Sequence, residues 1–304
     1  MNKIPIVMGF EENNAMPACV AAYSALQTKA SSTQYTFYFL VKSKMSENNI
    51  EKFNELTELY PETQIEYIVI SENYNKLQIA DIIPGLDKCL YLDFDIIVCD
   101  DLTDLWDIEI GNNFIAGVKD IEISKKRYKT LGLPTSDQYI ETGVLLMNLK
   151  LIREEKLVAQ YLELFTKRKK TTEQDILNKV CYNRVKLLPL KYNMVYSVIT
   201  RKKLLDAYFP PFDIEDALKN PTIVQYKGKE KPWKIHSDFA ILLFLWYQAA
   251  YESPYNHDHN KHMLKWRYDD TLIQQVEDGR DTTAYKIGSV VTYIPRSIMK
   301  LWKK

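Results

Sequence analysis

Along the first half of the chain, short β-rich apolar runs alternate with stretches of helical rhythm. Residues 4–8, 35–41 and 65–70 read as strands, and 18–28 and 46–60 as helices, the second opened by Ser46 as its N-cap. That alternation predicts an α/β fold, a sheet with helices on its faces. Residues 88–98 read as one central strand, with Asp93 and Asp95 set among Leu90, Leu92, Ile96 and Ile97. Further strands are expected at 114–118, 142–148, 185–188 and 222–225, and helices at 149–167 and 173–180. From residue 239 the chain turns helical and aromatic. Its apolar run 239–247 is about half as long as a membrane span, so it predicts a buried helix. No repeat or low-complexity linker interrupts the chain. The expected organisation is a main domain over 1–240 and a helical extension over 241–304, with a soft boundary.

Composition then excludes several classes. Lys and Arg number 40 and Asp and Glu 40, a zero net charge too balanced for a nucleic-acid coat. With 46% hydrophobic and 26% charged residues in 304, the chain is globular rather than disordered. It has only 9 glycines and neither a Gly-x-Gly-x-x-Gly turn nor a P-loop, so phosphates need another holder. Cys19, Cys89, Cys99 and Cys181 are too scattered for a disulfide framework or a Cys-x-x-Cys site, which points to a reducing compartment. Residues 1–7 run straight into a strand-like segment with no secretory pattern, so the expected location is the cytoplasm.

The two acids are the chemical anomaly. On a strand, side chains two apart face the same way, about 7 Å from one another. Like charges flanked by leucine and isoleucine are costly when dehydrated and unpaired. One answer is a divalent ion with oxygen ligands, Mg²⁺ or Mn²⁺, between them. The other is a strand that ends at Leu92, with both acids facing solvent in a turn.

Residues 91–98, followed by Leu102, Leu105 and Trp106, resemble the heart of glycosyltransferase family 8, which includes glycogenin and bacterial lipopolysaccharide galactosyl- and glucosyltransferases. The resemblance covers most of the chain. It runs in order through Ile6-Val7, Glu11-Glu12-Asn13, Tyr74-Asn75-Lys76-Leu77, Asp120, residues 142–149, 174–178 and 225–233. It implies a GT-A fold, a UDP-sugar donor, a Mn²⁺ or Mg²⁺ ion and sugar transfer with retention at the anomeric carbon.

Carried over position by position, the resemblance makes Asp93 and Asp95 metal ligands, with Gln225 where a third ligand stands. Gly9, Glu11 and Asn13 fall where uridine is held, and Gly228 and Lys231 where the diphosphate is gripped. Asp120 falls where donor-sugar hydroxyls are bound, and Gln174 on the reacting face of that sugar. Lys76, Glu141 and Thr142 complete the implied donor set. A metal ion and Lys231 would together stabilise the leaving diphosphate. Gln174 is a neutral amide and a poor nucleophile, which favours departure and attack on the same face. Glu173 and Asp175 are the acids close enough in sequence to stabilise an oxocarbenium. Adjacent helical residues do not share a face, so at most one is expected to point inward.

Four positions depart from the family pattern. Gln225 replaces a histidine ligand and shifts the preferred metal from Mn²⁺ toward Mg²⁺. Glu141 replaces an asparagine and binds a sugar hydroxyl, pairs with a lysine, or marks a different sugar. Lys76 replaces an arginine and loses its bidentate fork, and Glu11 replaces a shorter aspartate. His257, His259 and His262 have ligand-like spacing but lie in a polar stretch that reads as a solvent-exposed turn. In the tail, 294–304, apolar residues mix with Arg296, Lys300, Lys303 and Lys304. That suits either the inner surface of an anionic membrane or a helix docked on the main domain.

The expected activity is metal-dependent, retaining transfer of galactose or glucose from a UDP-sugar to a surface-glycan acceptor, saccharide or lipid-linked. The alternatives are a noncatalytic UDP-sugar-binding partner and a sugar nucleotidyltransferase. The second usually needs a glycine-rich N-terminal loop, and Gly9 is the only glycine there.

Overall fold

The computed structural model describes residues 2–70, 76–167, 171–199, 201–228, 231–233 and 240–256. Tyr74, Asn75, Lys229, Glu230, all four histidines and the tail lie outside them. The first half is β1 (Asn2–Phe10), α1 (Ala15–Thr28), β2 (Thr33–Val41), α2 (Glu47–Leu59), β3 (Gln64–Val69), α3 (Ile79–Ile82), β4 (Lys88–Leu92), β5 (Ile96–Val98), α4 (Thr103–Trp106), β6 (Ile115–Val118), α5 (Lys125–Thr130) and β7 (Val144–Asn148). There follow α6 (Leu149–Glu154), α7 (Leu157–Lys167), α8 (Glu173–Val180), β8 (Val185–Leu188), β9 (Met194–Val195), α9 (Tyr196–Ile199), α10 (Lys202–Tyr208), α11 (Pro211–Lys219), β10 (Ile223–Gln225) and α12 (Ala240–Glu252).

A seven-stranded sheet in the order β3-β2-β1-β4-β7-β6-β8 forms the centre, and β5-β10-β9 make a second, three-stranded sheet. All neighbours in the large sheet are parallel except β7, which is antiparallel to β4 and β6. Alternate residues feed two cores. Ile4, Ile6, Met8, Leu90 and Leu92 pack on one face, and Val7, Cys89 and Tyr91 on the other. The strand order turns back between β1 and β4, which opens a crevice at the carboxyl ends of the strands, where α/β sheets bind ligands.

Three expectations about elements change. Residues 88–98 are two strands in two sheets, because the backbone changes partners across the acids. Asp93 N donates to Gly143 O at 2.7 Å, and two residues on Tyr226 N donates to Asp95 O at 2.8 Å. The expected helix 149–167 is broken at Lys156, which takes a left-handed φ of 54°. The strand expected from 142 begins at Val144, leaving Thr142 and Gly143 free to border the crevice. The apolar run from 239 is helix α12 where described, with Trp246 fully buried in the same core as α1. Among the described residues no helix is long and apolar enough to cross a membrane.

Candidate active site

The chain leaves β4 at Leu92 as in a turn, yet both acids point inward. Asp93 Oδ1 accepts from Lys76 Nζ at 3.0 Å and from the Tyr91 hydroxyl at 2.9 Å. Tyr91, two residues back on the same face, was not anticipated, although that spacing places it there. Asp95 is paired with Lys231, whose Nζ also donates to Tyr226 O at 2.7 Å. Between the carboxylates stands Gln225, its Nε2 at 3.4 Å from Asp93 Oδ2 and 3.2 Å from Asp95 Oδ1. Burial first, then the charge of Asp93, pushes the Asp95 carboxyl up, against the pull of Lys231. Burial alone would lower the Lys76 ammonium, but Asp93 and Glu173 outweigh it and hold it up. Lys76 is 7% exposed, and its Nζ also donates to Thr142 O at 2.6 Å.

These residues fit a hard divalent cation. Among the described residues no three His, Cys, Asp or Glu side chains cluster to hold a metal, so the third donor would be the amide of Gln225. Its Oε1 is buried with no hydrogen-bond partner. Turning the amide over exchanges its oxygen and nitrogen and completes an all-oxygen donor set with Asp93 and Asp95.

A second group lies at the end of β6. Asp120 Oδ2 accepts from Gln174 Nε2 at 2.8 Å, and Gln174 Oε1 accepts from the backbone N and hydroxyl of Thr142, both at 3.3 Å. Buried Glu141 forms an ion pair with Lys227, whose Nζ also lies 3.7 Å from Asp120 and 3.9 Å from Glu122. Of the three readings of Glu141, pairing with a lysine is the one seen. Burial and then the charge of Asp120 push its carboxyl up to about 8, with Lys227 opposing. The sequence reading missed Lys227 because it looked like part of a solvated basic turn.

Helix α8 carries Gln174 into this group. Thr172 caps it, and Asp175 closes a capping box. Asp175, expected among the catalytic residues, is held by partners from its own chain. Its carboxylate receives Arg127, the Tyr139 hydroxyl at 2.7 Å, and Thr172 through its hydroxyl at 2.6 Å and backbone N at 3.0 Å. Tyr139 also interacts with the Gln174 side chain, so the two neighbours on α8 share that partner. Glu173 does turn toward the acids, accepting from Lys76 N at 2.7 Å.

The family model described as Glycosyl transferase family 8 matches residues 5–236. The chain belongs to that family. It is 25% identical over 296 residues to the lipopolysaccharide 1,2-glucosyltransferase of Escherichia coli, a match covering 88% of this chain and 85% of that protein. Among solved structures it resembles the galactosyltransferase LgtC in complex with donor and acceptor sugar analogues, with a TM-score of 0.68, 25% identity, and 82% and 96% of the two chains covered. It also shares the fold of the bifunctional glycosyltransferase WbbM in its apo form, at a TM-score of 0.74 and 23% identity. There the match spans 86% of this chain but only 51% of WbbM. The fold is GT-A, and the chain is a glycosyltransferase.

The other family-8 positions lie along the same edge. Gly9 is near the carboxyl end of β1, opposite Leu40 of β2. Glu11 and Asn13 follow it, both exposed, and Glu11 pairs with Lys42 at 2.5 Å. The described contacts do not join these three to the acids. Gly228 has a φ of 103°, a conformation side-chain-bearing residues rarely adopt, and a Cβ there would meet nothing within 4 Å, so the backbone rather than space requires glycine.

Proposed function

We propose that this glycosyltransferase moves a hexose, galactose or glucose, from a UDP-sugar to a glycan acceptor with retention at the anomeric carbon, using a divalent cation held by Asp93, Asp95 and Gln225. The observation that carries the reading is the pair of inward-facing carboxylates at the strand-order reversal, bridged by an amide and flanked by Lys76 and Lys231. A bound divalent ion supplies Lewis-acid stabilisation of the diphosphate.

The chain's own groups do the rest. Lys231, now on Asp95, swings to the diphosphate as a point charge, and Lys76 pairs with Asp93 and orients it. Asp120 and Gln174 take donor-sugar hydroxyls, and Asp175 fixes the helix that carries Gln174. Gly9, Glu11 and Asn13 hold the uridine, and Thr142 and Gly228 border the phosphates. The bond from the anomeric carbon to the diphosphate oxygen breaks as the acceptor oxygen attacks on the same face. The acceptor's proton passes to the departing oxygen.

The names of the Escherichia coli and LgtC relatives support hexose donors and an acceptor in a bacterial surface glycan. Action at the inner face of the cytoplasmic membrane, with 294–304 as the contact, belongs to the same proposal. Titrating UDP with and without Mn²⁺, then assaying UDP release from a panel of UDP-sugars, tests the reading. Cation-independent UDP binding, or no turnover with any UDP-sugar and any saccharide acceptor, overturns it.

A further inference from the structure

Helix α12 lies beyond residues 5–236, the span of the family model, yet it reaches both of the loops assigned above to the two ends of the donor. It is docked firmly. Trp246, Ala249 and Ala250 are buried in the core that α1 shares, and Gln27 of α1 donates to Glu252. Near the middle of the helix, the Tyr247 hydroxyl donates to Pro232 O at 3.1 Å. The Trp246 ring centroid lies 5.6 Å from that of Trp233, which lies 6.1 Å from that of Phe94, the residue between the two acids. Pro232 and Trp233 directly follow Lys231, so the helix grips the backbone behind that ammonium. With the backbone pinned there, the swing of Lys231 from Asp95 to a diphosphate is a side-chain rotation.

The end of the helix reaches the opposite loop. Three residues past Glu252, Tyr255 is 4% exposed, and its hydroxyl donates to Asn49 Oδ1. The other end of that amide is used as well: Asn49 Nδ2 donates to Glu12 Oε1 at 2.8 Å, and the same oxygen accepts from Ser46 N at 3.1 Å. Glu12 opens the 3-10 turn Glu12–Asn14 and stands between Glu11 and Asn13. Through one amide and one carboxylate, the Tyr255 hydroxyl thus orients the turn that carries two of the three groups read as uridine holders. Phenylalanine would supply the same ring packing at 247 or 255. What tyrosine adds at each place is a hydrogen bond toward one loop of the site.

We propose that α12 is a strut that sets the spacing between the two ends of the donor site, with Tyr247 positioning the diphosphate loop and Tyr255 the uridine turn. The proposal rests on the reading of Lys231 as a diphosphate holder and of Glu11 and Asn13 as uridine holders, and adds the residues that place them. Isothermal titration of the full chain with UMP and UDP, both with Mn²⁺, separates the two ends, because UMP carries the base and ribose and lacks the second phosphate. At the usual worth of one neutral hydrogen bond, Tyr247→Phe should weaken UDP roughly three- to tenfold and leave UMP unchanged. Tyr255→Phe should weaken UMP and UDP by the same factor, and Asn49→Ala, which cuts the same relay, should repeat that result. Hydrogen exchange of the ligand-free chain gives a second readout. Tyr247→Phe should speed exchange in peptides covering 226–233, and Tyr255→Phe in those covering 11–14, each leaving the other segment as in wild type. Wild-type affinities in both variants, equal losses of UMP and UDP in both, or a lowered melting temperature with no split between the nucleotides overturns the proposal. Absence of UDP binding by the wild-type chain instead removes the donor reading, and hydrogen exchange still decides whether α12 holds the two loops.

Discussion

A Cβ added to Gly143 would stand 2.2 Å from Gln225 Nε2, so the missing side chain at 143 is what allows the amide to lie between Asp93 and Asp95. The contact is with the far end of a flexible side chain, which yields by moving rather than forcing the backbone to shift. Gly143→Ala should therefore push Gln225 off the carboxylates. Overpacking of this kind costs ~1–3 kcal/mol. The expected outcome is a fall in melting temperature together with loss of the Mn²⁺ dependence of UDP binding. An alanine variant that keeps the wild-type metal response shows that Gln225 is not a ligand.

Asp95 and Gln225 separate metal binding from folding. Asp95→Asn keeps the shape and leaves Lys231 with Tyr226 O as a partner, at 2.7 Å. It should abolish cation-dependent nucleotide binding while circular dichroism stays native. Gln225→His supplies an imidazole, a better ligand for Mn²⁺ than an amide oxygen, and should tighten that ion. Titration of each variant with Mn²⁺ and UDP checks both, and an unchanged response in Asp95→Asn contradicts the assignment.

The parts legible in the sequence are those where one pattern dominates. The strands β1, β4 and β7 announce themselves through apolar runs, β2 through alternation of buried and half-buried positions, and Ser46 through its place before an amphipathic helix, where its hydroxyl accepts from Asn49 N at 3.3 Å. Helices α9 to α11 were not foreseen, because only Val198, Leu205, Ile214 and Ala217 are buried in them and no apolar stripe results. Pro211 at the start of α11 was the available signal. A strand ending at Leu92 was one of the two readings of the acids, but Phe94 keeps the run apolar and neither glycine nor proline marks the turn, so the pattern alone did not choose it. The acids stood out as charges in an apolar run, whereas Lys227 looks solvated until distant segments are brought around it.

Asp175 should matter to stability more than to turnover. Despite its burial, its bonds to Arg127, Thr172 and Tyr139 hold its carboxyl down to about 2, below the ordinary 3.8. The folded value lies below the unfolded one, so this stabilisation is present above pH 3.8 and is lost as pH falls toward 2. At ~1.4 kcal/mol per unit, the carboxylate contributes about 2 kcal/mol at neutral pH. Denaturant unfolding of wild type and Asp175→Asn at pH 7 and near pH 2 should show a gap of that order that shrinks with acid. A gap of equal size at both pH values contradicts the role.

Glu141 should act in the opposite sense. Its folded carboxyl is pushed up to about 8 from an ordinary 4.5, so its neutral form favours the folded state. The folded chain then binds more protons than the unfolded chain between those values, and stability falls as pH rises from 4.5 toward about 8. Glu141→Gln removes the titration and keeps the shape. The difference in unfolding free energy between Glu141→Gln and wild type should therefore move in favour of the variant as pH rises through that window, in urea titrations at pH 5, 7 and 8.5. Lys227→Met removes the ammonium that now opposes the shift, so it should extend the pH dependence of the otherwise wild-type chain to higher pH and have little effect on the chain that carries Gln at 141. A flat difference across the window shows that Lys227 already keeps Glu141 ionised, and that the excess of acid around Asp120 is balanced without help from a ligand.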